Sequence, residues 1–395
     1  MRPLRLFLVA GEHSGDALGG RLLAALRARV PEGLQLRGVG GAEMAREGLA
    51  SLFPLSDVAV MGPLAILGRL PHLVQRINQA VAAGIAMRPD AVVIIDSPEF
   101  THPIARRVRR RLPEVPVIDY VSPSVWAWRP GRAPRMRAYV DHVLALLPFE
   151  PEVHRRLGGP PCTYVGHPLI ERMPGLKAIE RGALAREIGL DPRAMTIVVL
   201  PGSRRSEVAR LMLPFGRAVA LAARRLGAIE VVIPAVDSVR ELIEERAAEW
   251  QVRPRVLSGE RLKLMAFRAA DVALAASGTV TLELALAGTP MIVGYRVDAL
   301  AARLKFLVKT PHFALSNLVL GERAFPELMQ EDCTPAKLAD ALVATIADPV
   351  VRSRQLQSLA RIPGLMQLAE GTPSEAAAGI VLAHVRRDER PPAGD

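Results

Sequence analysis

Leu4-Arg5-Leu6-Phe7-Leu8-Val9-Ala10 runs straight into Gly11-Glu12-His13-Ser14-Gly15-Asp16, and that junction decides the fold. The first seven residues form a mostly apolar run, as expected of a strand covered on both faces. The glycines permit a tight turn, and residues from about 17 to 29 carry helical spacing. Strand, glycine turn and helix together open a parallel α/β sheet. The chain repeats the unit: strands at Leu34–Val39, Ala91–Ile95, 115–120 and 142–146 alternate with helical patterns at 64–87 and 103–112. After a Pro- and Gly-rich stretch within 148–195 the pattern restarts, with strands at 196–200, 230–234, 255–257, Val272–Ala275 and 291–293. Residues beyond about 336 read as helical, with a polar end. The expectation is an α/β protein of two Rossmann-like, doubly wound parallel-sheet domains.

Composition bounds the rest. A chain of 395 residues exceeds one ordinary core, so two domains are expected. The two cysteines, Cys162 and Cys333, have no ligand spacing and suit a reducing compartment. The apolar run before Gly11 is too short for a signal peptide, and no stretch has the length of a membrane span. A cytoplasmic protein is expected. The formal net charge is +11, with arginines crowded at 106, 107, 109, 110 and 111 and again at 129, 132, 135 and 137. Such charge suits an anionic membrane surface or a polyanion, or is simply a basic surface. No nucleic-acid module accompanies it, so nucleic acid is not an expected partner.

Ligands of open α/β sheets bind beyond the carboxyl ends of strands, which makes each post-strand loop a candidate. In the first half, Glu12 and Ser14 lie in a glycine turn that opens a helix; the loop suits an anion, or is a turn capped by Ser14 or Asp16. Asp96 ends an apolar strand before Ser97-Pro98, where a carboxylate can accept a proton or cap the next helix. In the second half, Gly202-Ser203-Arg204 and Ser277-Gly278-Thr279 both follow strands and suit a diphosphate, with Glu283 one turn on to reach ribose hydroxyls. Asn317 sits in an apolar run, either as a ligand contact or as a turn fixer. The apolar run 58–67, which includes Met61, either meets a membrane or acyl chain or is ordinary core. Val121-Ser122-Pro123-Ser124-Val125-Trp126-Ala127-Trp128-Arg129 holds two of three tryptophans where aromatic content is only 4%. That loop is either a packing plug or a face for a ligand.

These segments resemble the lipid-A-disaccharide synthase family: Ala-Gly-Glu-His-Ser-Gly-Asp at 10–16, Ile-Asp-Ser-Pro-Glu-Phe at 95–100, Tyr-Val-Ser-Pro-Ser-Val-Trp-Ala-Trp-Arg at 120–129, Leu-Pro-Gly-Ser-Arg at 200–204, Ala-Ser-Gly-Thr at 276–279 with Glu283, and Leu-Ser-Asn-Leu at 315–318. His13 stands where the family usually has a smaller residue. The resemblance implies a GT-B architecture with its active site in the interdomain cleft. It implies inverting transfer of 2,3-diacylglucosamine from its UDP derivative to 2,3-diacylglucosamine 1-phosphate (lipid X), forming a β-1,6 link without a metal or other cofactor. It implies Asp96 as the catalytic base, with Glu12 or His13 next in line. Glu12, Ser14, Met61, Trp126, Trp128, Arg129 and Asn317 are expected at the substrates, and Gly202, Ser203, Arg204, Ser277, Gly278, Thr279 and Glu283 at UDP. Expected domains are 1–168 for the acceptor and membrane, 169–349 for the donor, 350–388 as helices returning to the first domain, and 389–395 as a disordered tail. The protein would sit peripherally on the inner face of the inner membrane. Oligomeric state stays open, a homodimer being one option. The rival readings are another UDP-sugar GT-B enzyme, such as a lipid-linked glycosyltransferase or a UDP-GlcNAc 2-epimerase, and a basic membrane- or polyanion-binding module.

Overall fold

The computed structural model describes residues 2–58, 63–297 and 310–387; Met61 and the segment 388–395 lie outside these. The described chain divides into two compact units. One comprises 1–168 with 368–395, the other 169–367.

The first unit is built on seven parallel strands: β1 (Leu4–Ala10), β2 (Leu34–Val39), β3 (Ala50–Ser51), β4 (Ala91–Ile95), β5 (Val117–Tyr120), β6 (His142–Ala145) and β7 (Cys162–Tyr164). Their order is β3-β2-β1-β4-β5-β6-β7. β4, Ala-Val-Val-Ile-Ile, is buried at every position, which is why it carries no polar alternation: helices cover both faces. Phe7, Val9, Val92 and Ile94 face one apolar cluster, and Leu6, Leu8, Val93 and Ile95 face the other. The run Cys162–Tyr164 forms an edge strand that its Pro- and Gly-rich flanks hid from the sequence pattern.

The second unit repeats the plan with β8 (Met195–Leu200), β9 (Ile229–Ala235), β10 (Arg255–Ser258), β11 (Val272–Ala275), β12 (Met291–Tyr295) and β13 (Glu327–Met329). These six strands run in the order β10-β9-β8-β11-β12-β13. In each unit the order therefore reverses once, between β1 and β4 and between β8 and β11. The carboxyl ends of strands at such a reversal are where open α/β sheets bind their ligands.

The expected return at residue 350 is corrected. Helix Pro349–Met366 stays in the second unit. Its Gln355, 2% exposed, accepts the Met291 backbone N–H at 2.9 Å and donates to Thr345 Oγ1 at 3.2 Å, pinning the helix to the start of β12. The chain re-enters the first unit at Leu368, where helix Pro373–Arg387 buries Ala377, Ala378 and Val381 against the cluster around Leu22 and Leu26. Among the described residues no helix is long and apolar enough to cross a membrane.

Candidate functional site

In the first unit both loops at the strand reversal approach closely. Asp96 and Ser97 both adopt left-handed backbone, with φ of 57° and 44°, strained for residues bearing side chains. The turn brings the Asp96 carboxylate to the loop that leaves β1. Its Oδ1 accepts the Ser97 N–H at 2.7 Å, and its Oδ2 accepts Ser14 Oγ at 3.3 Å from the first loop. Ser14 and His13 are exposed and Glu12 half-buried, so this edge is open to a ligand.

Asp16 is a different kind of group. It is 3% exposed and accepts three backbone N–H groups, from Gly41 at 2.7 Å and from Glu43 and Met44 at 3.0 Å. It thus caps the short helix Ala42–Arg46 rather than its own.

The tryptophan loop divides into two halves. Trp126 is half-buried, stacks edge-on against Phe149 with ring centroids 5.5 Å apart, and donates its indole N–H to Glu150 Oε1 at 3.2 Å. Its polar handle is used within the loop, so Trp126 braces the loop through Phe149 and Glu150. Glu150, 3% exposed, also accepts the Leu147 N–H at 3.0 Å, and burial pushes its pKa up to about 7. Beneath the loop Ser122 Oγ meets His154 Nε2 at 2.9 Å, and burial holds the His154 pKa below its usual value. Trp128 remains 42% exposed with the Arg129 guanidinium stacked over it at 4.1 Å, and Arg129 reaches Glu99 at 3.2 Å.

In the second unit, Gly202 and Arg204 follow β8. Gly202 has φ +107°, and a Cβ there would lie 2.4 Å from Glu207 Oε2. Glu207 organises the loop. It accepts the Ser203 and Arg204 N–H groups at 3.2 and 3.4 Å, the Arg204 guanidinium at 3.1 Å and Tyr295 Oη at 3.0 Å. Burial, then the neighbouring Glu207 charge, pushes the Tyr295 pKa up to about 12. Arg204 keeps a side chain 53% exposed, orientated rather than consumed. Glu207 went unrecognised in the sequence, although it stands three residues after Arg204, the position of the acidic member of a capping box.

Across the reversal, Ser277 Oγ donates to the Phe313 carbonyl at 2.8 Å, and Gly278 and Thr279 lead into helix Val280–Ala287. Glu283 is engaged by Lys263 Nζ at 3.0 Å. Lys263 is half-buried, and although burial opposes it, the Glu283 and Glu260 carboxylates hold its pKa above the usual lysine value. Asn317 lies inside the unit rather than at its surface. It is fully buried, donating to the Phe325 carbonyl at 3.2 Å and Glu327 Oε1 at 2.8 Å, and accepting the Ala324 N–H at 3.0 Å. Buried Glu327 in turn accepts the Phe313 and Ala314 N–H groups at 3.1 and 2.9 Å. Asn317 therefore braces, through Glu327, the segment on which Ser277 rests. Met61 falls outside the described residues.

A family model described as lipid-A-disaccharide synthetase matches residues 6–380. The chain belongs to the lipid-A-disaccharide synthase family. A family member from Nitrobacter hamburgensis is 49% identical over 388 residues, covering 98% of this chain and 97% of its own. Another from Rhodopseudomonas palustris (strain HaA2) is 48% identical over 384 residues, covering 97% of each. Membership makes the chain a glycosyltransferase of lipid A synthesis. Among solved structures it is similar to a UDP-GlcNAc 2-epimerase from Neisseria meningitidis bound to UDP-GlcNAc, with TM-score 0.66, 12% identity and coverage of 97% and 100%. It is also similar to the spinosyn rhamnosyltransferase, with TM-score 0.54, 16% identity and coverage of 96% and 100%. At such identities these show the GT-B fold alone. The family match over nearly the whole chain leaves the epimerase and binding-module readings without support.

Proposed function

We propose that the enzyme transfers 2,3-diacylglucosamine with inversion from its UDP derivative to the 6-hydroxyl of 2,3-diacylglucosamine 1-phosphate. The observation that carries the residue roles is the Asp96 carboxylate, set in a strained turn at the end of β4 and held by Ser97 and Ser14. A carboxylate held at this place is the kind of group that can accept a proton from a hydroxyl. As the acceptor oxygen bonds to the anomeric carbon, its proton passes to Asp96 and the bond from that carbon to the UDP oxygen breaks on the opposite face. Charge develops on the departing diphosphate. Arg204, orientated by Glu207, and the backbone N–H groups opening helix Val280–Ala287 are the groups suited to hold it. Glu283, fixed by Lys263, suits the ribose hydroxyls. Trp128 and Arg129 offer the exposed face for the acceptor. An anionic membrane surface is the proposed source of both lipid substrates.

The test is incubation of the purified protein with the two acylated precursors, with and without EDTA, and detection of disaccharide by mass spectrometry. Product at equal rates in both arms is expected. No product in either arm would remove the assignment, and product lost only with EDTA would remove the metal-independent part.

A further inference from the structure

Helix Pro98–Arg111 places Glu99, His102, Pro103, Arg106, Arg107 and Arg110 at steps of three and four residues, hence along one face. That face borders a groove of about 740 Å³. The opposite wall is the end of the tryptophan loop and helix Arg132–Met136, which bring Arg129, Arg132 and Arg135. Six guanidinium groups from three segments converge on one concavity, against a single lining carboxylate, Glu99.

Glu99 is already engaged by Arg129 at 3.2 Å and Arg132 at 2.5 Å. Arg106 lies over the Tyr139 ring at 4.9 Å, and Arg107 donates to Asn78 Oδ1 at 2.6 Å. Arg106, Arg110 and Arg135 have no carboxylate partner among the described residues. Arg109 on the same helix turns away to pair with Asp141, so the groove is not a mere consequence of an arginine-rich helix. Arg132 keeps only 18% of its side chain exposed, which weakens solvent screening at that wall. Assembling like charges in a concavity opposes folding unless an anion offsets them. Guanidinium forks match phosphate oxygens in geometry as well as charge.

We propose that this arginine-walled groove is a discrete binding site for a phosphate ester carried on a lipid. The proposal deepens the function reading and rests on it for the nature of the ligand. Pro98 and Glu99, which open the groove, directly follow Asp96 and Ser97 in the chain. The groove therefore begins at the turn that carries the proposed base and runs along the helix that follows it. Two sources share this chemistry, the anomeric phosphate of the acceptor and the head group of a bilayer phospholipid.

The double substitution Arg110→Gln and Arg135→Gln removes two guanidinium groups without breaking an ion pair, and Arg110→Lys with Arg135→Lys keeps the charge. One arm measures acceptor KM in neutral-detergent micelles free of phospholipid. The other measures co-sedimentation with vesicles of phosphatidylglycerol and phosphatidylcholine, against phosphatidylcholine alone. If the acceptor phosphate occupies the groove, the Gln pair raises acceptor KM about tenfold with kcat little changed, and the Lys pair recovers part of the loss. If a bilayer head group occupies it, KM in micelles holds while binding to the anionic vesicles falls severalfold in the Gln pair. Wild-type values in both arms would overturn the proposal and leave the groove a solvated basic surface. A wild-type protein that makes no disaccharide overturns the function reading alone, because the vesicle arm still reports on the groove.

Discussion

Gly11 and Ser97 lie in van der Waals contact across the strand reversal of the first unit: a Cβ built on Gly11 would stand 2.3 Å from the Ser97 Cβ. The loops leaving β1 and β4 therefore share one packed interface, and Asp96 is positioned from both sides. Gly11→Ala must displace the turn that holds Asp96. Destabilisation of about 1–3 kcal/mol is expected from the overpacking, together with a fall in kcat. Denaturant unfolding and steady-state kinetics check it. Wild-type stability and rate would show that the turn yields without consequence.

Asp96→Asn preserves the shape of the side chain and can keep the Ser97 and Ser14 contacts, but it cannot accept the acceptor proton. Turnover should drop about 10²–10⁴-fold while affinity for UDP holds. Calorimetric UDP titration beside a turnover assay separates the two effects. Near-normal turnover would pass the role to Glu12 or His13.

Glu150 makes stability depend on pH. Burial raises its folded pKa to about 7 from an ordinary carboxylate value of 4.5. A raised folded pKa means the folded state binds the proton more tightly than the unfolded chain. The associated stability is fully present below pH about 4.5 and is lost as pH rises through about 7, on the order of 3 kcal/mol in all. Glu150→Gln imitates the neutral acid and should flatten that part of the profile. Thermal melts of both proteins across pH 4.5 to 8 provide the comparison; parallel curves would mean that Glu150 does not titrate in this window.

Asn317→Ala removes three hydrogen bonds from a fully buried amide and frees Glu327 from one of its partners. A loss of roughly 1–3 kcal/mol in stability is expected, and donor KM should rise through the loosened support of Ser277. A variant with full stability but collapsed kcat would instead make Asn317 a direct ligand contact.

The strand–turn–helix junctions were legible because their signals are local. Apolar runs such as 4–10 and 91–95, each closed by glycine or by Asp-Ser-Pro, announce buried strands and their exits. The exits that matter, after β1, β4, β8 and β11, carry most of the expected site residues: Ser14, Asp96, Gly202, Ser203, Arg204, Ser277, Gly278, Thr279 and Glu283. Short edge strands escaped notice because two or three residues hold no period to read.

By itself the sequence determined two doubly wound sheets, the loops that bear chemistry, and the family. Tertiary structure alone decided which polar groups are satisfied within the scaffold and which stay exposed. Asp16 caps a helix 28 residues away through Met44, Glu207 binds Tyr295 across 88 residues, and Gln355 holds the start of β12 across 64. A buried polar group must find a partner, but its own neighbourhood in the chain does not say which distant one it meets. The same reason gave the Trp126 indole and the Asn317 amide their partners in Glu150 and Glu327, and brought two arginine clusters to one groove.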